Sequence, residues 1–268
     1  MPKLSVTIIT KNEAADIAAA LDSVAWADER IVVDSCSTDG TGAIASGRGA
    51  RVVSREWPGY VAQKNHAASL ASHDWILSLD ADERVTPELA AEIRATLAQE
   101  PAARGYDIPR VTFHLGRWIR TTDWYPDRQL RLYDRRSAAW TGTHVHEGVK
   151  VNGRVGRLSN ELQHYAYRDV AEHMETIEHY TTLAARQMFE RGRRATAFDL
   201  ALQPAFAFFR NFVLKRGFLD GGVGLTISKM NSRYVYLKFK KLRDLELSGT
   251  PASHEGTRNT KNTKTKPV

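Results

Sequence analysis

The chain of 268 residues has a single cysteine, Cys36. One cysteine excludes an intramolecular disulfide and fits a reducing compartment. With no histidine or second cysteine beside it in sequence, Cys36 reads as a spectator and not as a nucleophile. No stretch of 18 or more apolar residues occurs, so no transmembrane helix is expected. The short apolar run that begins at Leu4 has no h-region and reads as a first strand, not as a signal peptide. The chain also lacks internal repeats, and no glycine-rich phosphate loop follows that first strand.

Hydrophobic residues make up 42% and charged residues 26%, enough apolar material for a sizeable core in one large α/β domain with an appendage. The net charge of +7 is unevenly distributed. Residues 203–268 hold thirteen Lys/Arg against four Asp/Glu, a local +9, which leaves the first 202 residues at −2. The basic character therefore belongs to the C-terminal quarter and is an interaction feature there.

The first hundred residues alternate strand and helix patterns. Strands are expected at 4–9, 30–34, 51–53 and 75–79, and helices at 13–24, capped by Asn12, at 59–71, and at 87–99, with Thr86 as N-cap and Pro87 at the first helical position. A short helix is expected to open after the turn residues Ser37-Thr38-Asp39-Gly40-Thr41. Such alternation implies βαβ units and a mostly parallel, Rossmann-like sheet flanked by helices. Ligands in such sheets sit beyond the carboxyl ends of the strands. Thr10, Asn12 and Glu13 follow the first strand, Asp34 and Asp39 the second, and Asp80, Ala81 and Asp82 the fourth, so the three groups should meet along one edge.

From 106 to 167 the pattern changes to short β-like pieces rich in Trp, His, Arg and Gly, read as an antiparallel extension on the acceptor side. Helices are expected at 169–191, and through Phe198, Leu202, Phe206, Phe209 and Val213. A glycine-rich break follows at 217–224, then a basic, aromatic amphipathic segment at 227–245. This defines a catalytic domain at 1–168, a helical basic extension at 169–246 and a Thr/Asn/Lys-rich tail at 247–268 expected to be disordered.

Two carboxylates directly after an apolar strand, Asp80 and Asp82, suit a hard divalent cation, Mg²⁺ or Mn²⁺, shared with the phosphates of a nucleotide. His144 and His146 would share a strand face, and His146, beside Glu147, is a candidate third ligand. Arg128 and Arg131 are candidates to grip a diphosphate or an acidic acceptor. Trp118, Trp124, Trp140 and Tyr125 are candidates for stacking on a ligand's rings. Phenylalanines 206, 208, 209 and 212 amid Arg and Lys suit a helix in the headgroup layer of an anionic membrane.

Three blocks carry a resemblance: Val6-Thr7-Ile8-Ile9-Thr10-Lys11-Asn12-Glu13, then Ile31-Val32-Val33-Asp34-Ser35-Cys36-Ser37-Thr38-Asp39-Gly40-Thr41, then Leu79-Asp80-Ala81-Asp82-Glu83. In this order they resemble the signatures of family 2 glycosyltransferases with the GT-A fold. Gln63-Lys64-Asn65, the segment from Tyr125 through Pro126-Asp127-Arg128-Gln129-Leu130-Arg131-Leu132, Val145-His146-Glu147 and Arg216-Gly217-Phe218-Leu219-Asp220-Gly221 resemble the branch containing lipopolysaccharide core β-1,4-glucosyltransferases.

The resemblance implies an inverting transfer, with glucose the sugar suggested, from a UDP-sugar to a lipid-linked saccharide acceptor. The enzyme would be cytoplasmic and peripheral on the cytoplasmic face of the inner membrane. Thr10, Asn12 and Glu13 would line the nucleoside pocket, with Ala81 at the donor. Asp34 would accept a hydrogen bond from uracil, and Lys64 would approach the base or the phosphates. Asp80 would contact ribose or metal, and Asp82 would be the principal metal ligand. The catalytic base implied is Asp127, with Glu147 the second candidate because Pro126 stands where the pattern has an acid. Two other readings are weighed. A nucleotidyltransferase is disfavoured by Thr10-Lys11-Asn12-Glu13 in place of a basic glycine loop. A nucleic-acid-binding module lacks any recognition motif.

Overall fold

The computed structural model describes residues 2–142, 147–167 and 169–248. They fall into two compact units. One contains the chain up to Val111 together with Asp127–Tyr165, and the other contains Thr112–Pro126 and the chain from Ala166 onward.

In the first unit, strand β1 (Leu4–Thr10) is buried along its whole length. Apart from Ser5, whose hydroxyl donates to Glu29, its sequence is apolar or β-branched, as suits a central parallel strand covered on both faces. After helix α1 (Ile17–Ser23) comes β2 (Glu29–Asp34), then helix α2 (Thr41–Gly47) and β3 (Arg51–Ser54). Helix α3 (Tyr60–Ser69) leads to β4 (Trp75–Asp80), the short β5 (Glu83–Val85) and helix α4 (Pro87–Ala98). The four strands run parallel in the order β3-β2-β1-β4. Thr86 accepts from the Leu89 amide at 3.1 Å, as a Thr-Pro helix start should.

The chain then adds β6 (Gly105–His114), β7 (Arg117–Ile119) and β8 (Asp127–Asp134). Strand β8 inserts antiparallel beside β4, and β6 pairs antiparallel with β8. Strands β9 (Ala138–Thr141) and β10 (Gly148–Val151) form a separate hairpin. Strands β11 (Val155–Arg157) and β12 (Leu162–His164) complete the sheet, with β12 antiparallel to β5. The expected antiparallel segment is thus woven into the main sheet between β4 and its far edge.

Side-chain alternation along β1 divides the core. Val6 and Ile8 pack with Ile17 and Leu21 of α1 and Leu89 and Ile93 of α4. Ile9 packs on the other face with Ala67 and Ala68 of α3, Tyr133 and Trp140. Each fully buried Leu or Ile contributes on the order of 1.5–3 kcal/mol.

One local expectation fails. Asn12 does not cap a helix over 13–24; it sits in the left-handed region at φ 55°. Its amide donates to Ser37 Oγ at 2.8 Å, and its Oδ1 accepts from the Thr38 amide at 2.9 Å. These bonds to the loop after β2 win over local capping, and α1 begins only at Ile17.

The second unit is built on helices α5 (Val170–Glu190), α6 (Ala197–Phe209) and α7 (Gly221–Ser248). A capping box of Thr196 and Asp199 starts α6. A π-helical turn, Arg210–Leu214, extends it, followed by a 3₁₀ turn at Gly217–Asp220. The expected glycine break is therefore shorter than 217–224, because α7 already begins at Gly221. The glycines allow close approach: a Cβ on Gly224 would lie 1.8 Å from the Gly217 carbonyl oxygen. Buried Asn211 ties the unit together, donating to Asp123 and Ala207 (both 2.9 Å) and accepting from Asn231 (2.8 Å) and the Asp123 amide (2.9 Å). Among the described residues no helix is long and apolar enough to cross a membrane.

Candidate active site

The parallel register fixes the site. Thr10 pairs with Asp34 across β1 and β2, and Ile9 pairs with Asp80 across β1 and β4. The three polar groups foreseen at the strand ends therefore lie along one edge of the sheet. Asp34 is buried and its carboxylate accepts from both the amide and the hydroxyl of Ser37. Asp39 accepts from Thr41 and from the Ala14 amide, and Glu13 donates its own amide to Thr41 Oγ1 at 2.8 Å. Burial works against ionisation of Asp39, but these hydrogen bonds prevail and its pKa is lowered.

Helix α3 serves the edge with three successive side chains. Gln63 donates to Ser35 Oγ at 3.0 Å. Asn65 holds the Trp140 backbone with two bonds, 2.9 Å to its carbonyl and 3.0 Å from its amide. Lys64 is only 3% exposed, so it is not a surface helix lysine. Its Nζ lies 3.1 Å from Asp80 and 3.2 Å from Glu147, 4.1 Å above the Trp140 ring.

Lys64 belongs to a ladder of alternating charge. Asp80 also meets Arg131 at 2.6 Å, and Arg131 meets Glu83 at 2.8 Å. Glu83 meets Arg110 at 2.8 Å, and Arg110 grips Asp127 through Nε (2.9 Å) and Nη2 (2.5 Å). Glu83 is fully buried and its other oxygen accepts from the Asp80 amide at 3.0 Å. Burial alone would raise the pKa of Asp80, yet Arg131 and Lys64 hold it well below the usual carboxylate range. Glu147 moves the other way: burial raises its pKa, with the Lys64 charge in opposition.

The two candidate bases differ in their surroundings. Both oxygens of Asp127 are engaged, one by Arg110 and the other by Gln129 Nε2 at 2.7 Å. Glu147 gives Oε1 to Lys64, while its buried Oε2 has no hydrogen-bond partner among the described residues.

Asp82 is 1% exposed, with His164 Nε2 at 2.8 Å, and Ala81 is also buried. His146, the foreseen third metal ligand, lies outside the described residues, as does His144. Among the described residues no group of three His, Cys, Asp or Glu side chains is arranged to hold a metal. Asp80 and Asp82 are hard carboxylates of the type that bind Mg²⁺ or Mn²⁺ together with substrate phosphates, and here both Asp80 oxygens are ion-paired, one with Lys64 at 3.1 Å and the other with Arg131 at 2.6 Å.

The other expected residues are placed as follows. Arg128 donates to the Leu158 and Asp107 carbonyls at 3.3 and 3.5 Å. Trp124 is buried beside His114 and Tyr167, Trp118 packs on Phe113 at 5.1 Å, and Trp140 lies under Lys64. Glu83, Arg110 and His164 were not foreseen as site residues. Only strand pairing brings them in, through β6–β8 and through β5–β12, where His164 opposes Glu83.

The family model described as glycosyl transferase family 2 matches residues 5–152. The chain belongs to glycosyl transferase family 2. This glycosyltransferase is 34% identical over 262 residues to an uncharacterized glycosyltransferase of Rickettsia felis, covering 91% of this chain and 90% of the relative. It is 29% identical over 252 residues to the lipopolysaccharide core biosynthesis glycosyltransferase LpsC of Rhizobium meliloti, covering 88% and 93%. Its fold is similar to that of the mannosyltransferase PcManGT from Pyrobaculum calidifontis, solved with GDP-Man and Mn²⁺. The TM-score is 0.53 over 90% of this chain and 87% of that one, at 15% identity. The fold is thus GT-A, with a helical C-terminal region.

Proposed function

We propose that this glycosyltransferase is an inverting hexosyltransferase that moves glucose from UDP-glucose to a saccharide of the lipopolysaccharide inner core or another lipid-linked glycan. The observation that carries the reading is the register that aligns Thr10, Asp34 and Asp80 on one sheet edge. Two buried polar atoms at that edge, Thr10 Oγ1 and Gln63 Oε1, have no hydrogen-bond partner among the described residues. Such orphans are rare, and a nucleoside's donors would satisfy them. The 29% identity to LpsC supports a lipopolysaccharide acceptor. In this reading residues 1–168 bind the donor and perform the transfer, and residues 169–246 form a basic extension that works at the cytoplasmic face of the inner membrane.

Asp80 and Asp82 would hold the divalent cation, which when bound neutralises charge on the departing diphosphate. In the transfer an acceptor hydroxyl attacks the anomeric carbon. A C–O bond forms to the acceptor oxygen, the bond from the anomeric carbon to the diphosphate oxygen breaks, and UDP leaves with the electron pair. The acceptor proton passes to a carboxylate. Glu147 suits that role better than Asp127. Among the described residues its Oε2 has no hydrogen-bond partner, and burial raises its proton affinity, whereas Asp127 is held by Arg110 and Gln129. Lys64 holds the other Glu147 oxygen and so fixes the direction of the carboxylate.

Calorimetric titration with UDP tests the donor site. UDP binding strengthened by Mn²⁺ in the wild type, and weak and insensitive to Mn²⁺ in Asp82→Ala, is the expected result; no binding with or without metal would overturn the reading.

A further inference from the structure

The second unit carries an apolar surface that glycosyl transfer does not explain. Phe198, Leu202, Phe206 and Phe209 are 59%, 56%, 57% and 47% exposed along α6. The strip continues through Leu214, Phe218 and Leu219, at 59%, 61% and 49% for Leu214, Leu219 and Phe218 respectively. Lone exposed hydrophobics are ordinary, but a contiguous strip of this size marks an interaction site.

Its charge identifies the partner. The two acidic residues of this stretch, Asp199 and Asp220, are both buried, whereas Lys215 and Arg216 are exposed. The face offered to solvent from Phe198 to Leu219 is therefore apolar and cationic, with no exposed carboxylate. A protein partner of ordinary surface would demand both signs, whereas an anionic bilayer demands this combination.

Beside the strip, α6 and α7 enclose a groove of about 770 Å³ whose walls include Phe206, Tyr234 and Val235. Lys238 also lines it, its Nζ 4.8 Å from the Phe239 ring centroid and 5.9 Å from that of Tyr234. Among the described residues its ammonium makes no hydrogen bond or ion pair, and burial lowers its pKa against the pull of Asp199. An apolar channel whose wall carries an ammonium without a hydrogen bond or ion pair among the described residues suits an acyl chain attached to a phosphate.

We propose that this face docks on an anionic phospholipid bilayer, with one lipid's acyl chain in the α6–α7 groove and its phosphate at Lys238. The inference takes its purpose from the lipid-linked acceptor reading, but its evidence is the surface itself, and vesicle binding is read without any sugar donor. A failed docking and a failed transfer are thus separate results.

The test is flotation of the full chain with phosphatidylcholine vesicles and with phosphatidylcholine–phosphatidylglycerol vesicles (roughly 7:3). The wild type should float with the anionic vesicles. Leu202→Ser with Phe206→Ser should lower the partition coefficient by more than about tenfold. Lys238→Gln should lower it about fivefold on anionic vesicles and leave neutral ones unaffected. Leu202 and Phe206 are exposed and Lys238 is half-buried, so folding should survive; Phe206→Trp gives an independent readout, a blue-shifted emission on adding anionic vesicles. A wild type that remains unbound, a serine double variant that floats as well as the wild type, or an unshifted tryptophan would overturn the proposal. So would vesicle-independent self-association abolished by Phe206→Ser, which would assign the strip to a second copy of the chain.

Discussion

Replacement of Glu83 by glutamine probes the charge ladder at its hidden midpoint. Glu83 is fully buried and touches no expected ligand, yet it accepts from Arg110 and Arg131 at 2.8 Å each and from the Asp80 amide at 3.0 Å. The ladder from Glu147 to Asp127 holds four carboxylates and three cations, so each guanidinium keeps one carboxylate after the change. The loss is therefore smaller than for a buried charge left wholly unpaired, about 3–5 kcal/mol. Two charge-assisted bonds are weakened, each worth about 1.5–3 kcal/mol, and the glutamine carbonyl restores part of one. The net expectation is a loss of about 2–3 kcal/mol, which for a chain of this size lowers the melting temperature by about 4–12 °C. Thermal unfolding followed by circular dichroism at pH 7 measures it. A shift below about 2 °C would mean that Glu83 does not organise the two arginines, and the ladder would lose its role in positioning Asp80 and Asp127.

Glu147→Gln should reduce kcat by about 10²–10⁴-fold with UDP binding intact, whereas Asp127→Asn should act mainly through the Arg110 contact and cost less; the reverse order would move the base to Asp127. Because burial raises the Glu147 pKa, kcat/KM of the wild type should fall as pH drops through a value above the ordinary glutamate range, and that acid limb should vanish in the glutamine variant. Asp199→Ala removes the capping box of α6 and should destabilise the protein by about 1–2 kcal/mol at pH 7, measured by urea unfolding. Burial opposes ionisation of Asp199, but hydrogen bonds from Thr196 lower its pKa, so its contribution is complete above the unfolded value of about 3.9 and is lost as pH falls through the lower folded value. An alanine variant whose deficit persists below that range would contradict the linkage.

Much of the edge that holds Thr10, Asp34 and Asp80 was legible in the sequence because parallel strands announce themselves locally. The apolar runs ending at Thr10, Asp34 and Asp80 needed only the rule that ligands gather at carboxyl ends to be placed together. The antiparallel part of the site was harder to read. Arg110 and Asp127 meet through an antiparallel pairing of β6 and β8, and His164 reaches Asp82 through strands some eighty residues apart in sequence. No periodicity encodes such contacts. Asn12 illustrates the converse: its residue type predicted a helix cap, but a tertiary bond to Thr38 claimed the same oxygen. Lys64 read equally well as surface or site, and only its burial between Asp80 and Glu147 distinguishes the two.

The most direct test of the central claim is incubation of the purified chain with a panel of UDP-, GDP- and dTDP-sugars and a lipopolysaccharide core acceptor in the presence of Mn²⁺, with the product's anomeric configuration read by NMR. The account predicts transfer from UDP-glucose with inversion, abolished by Asp82→Ala. Transfer with retention, or a donor preference unaffected by Asp82→Ala, would contradict it.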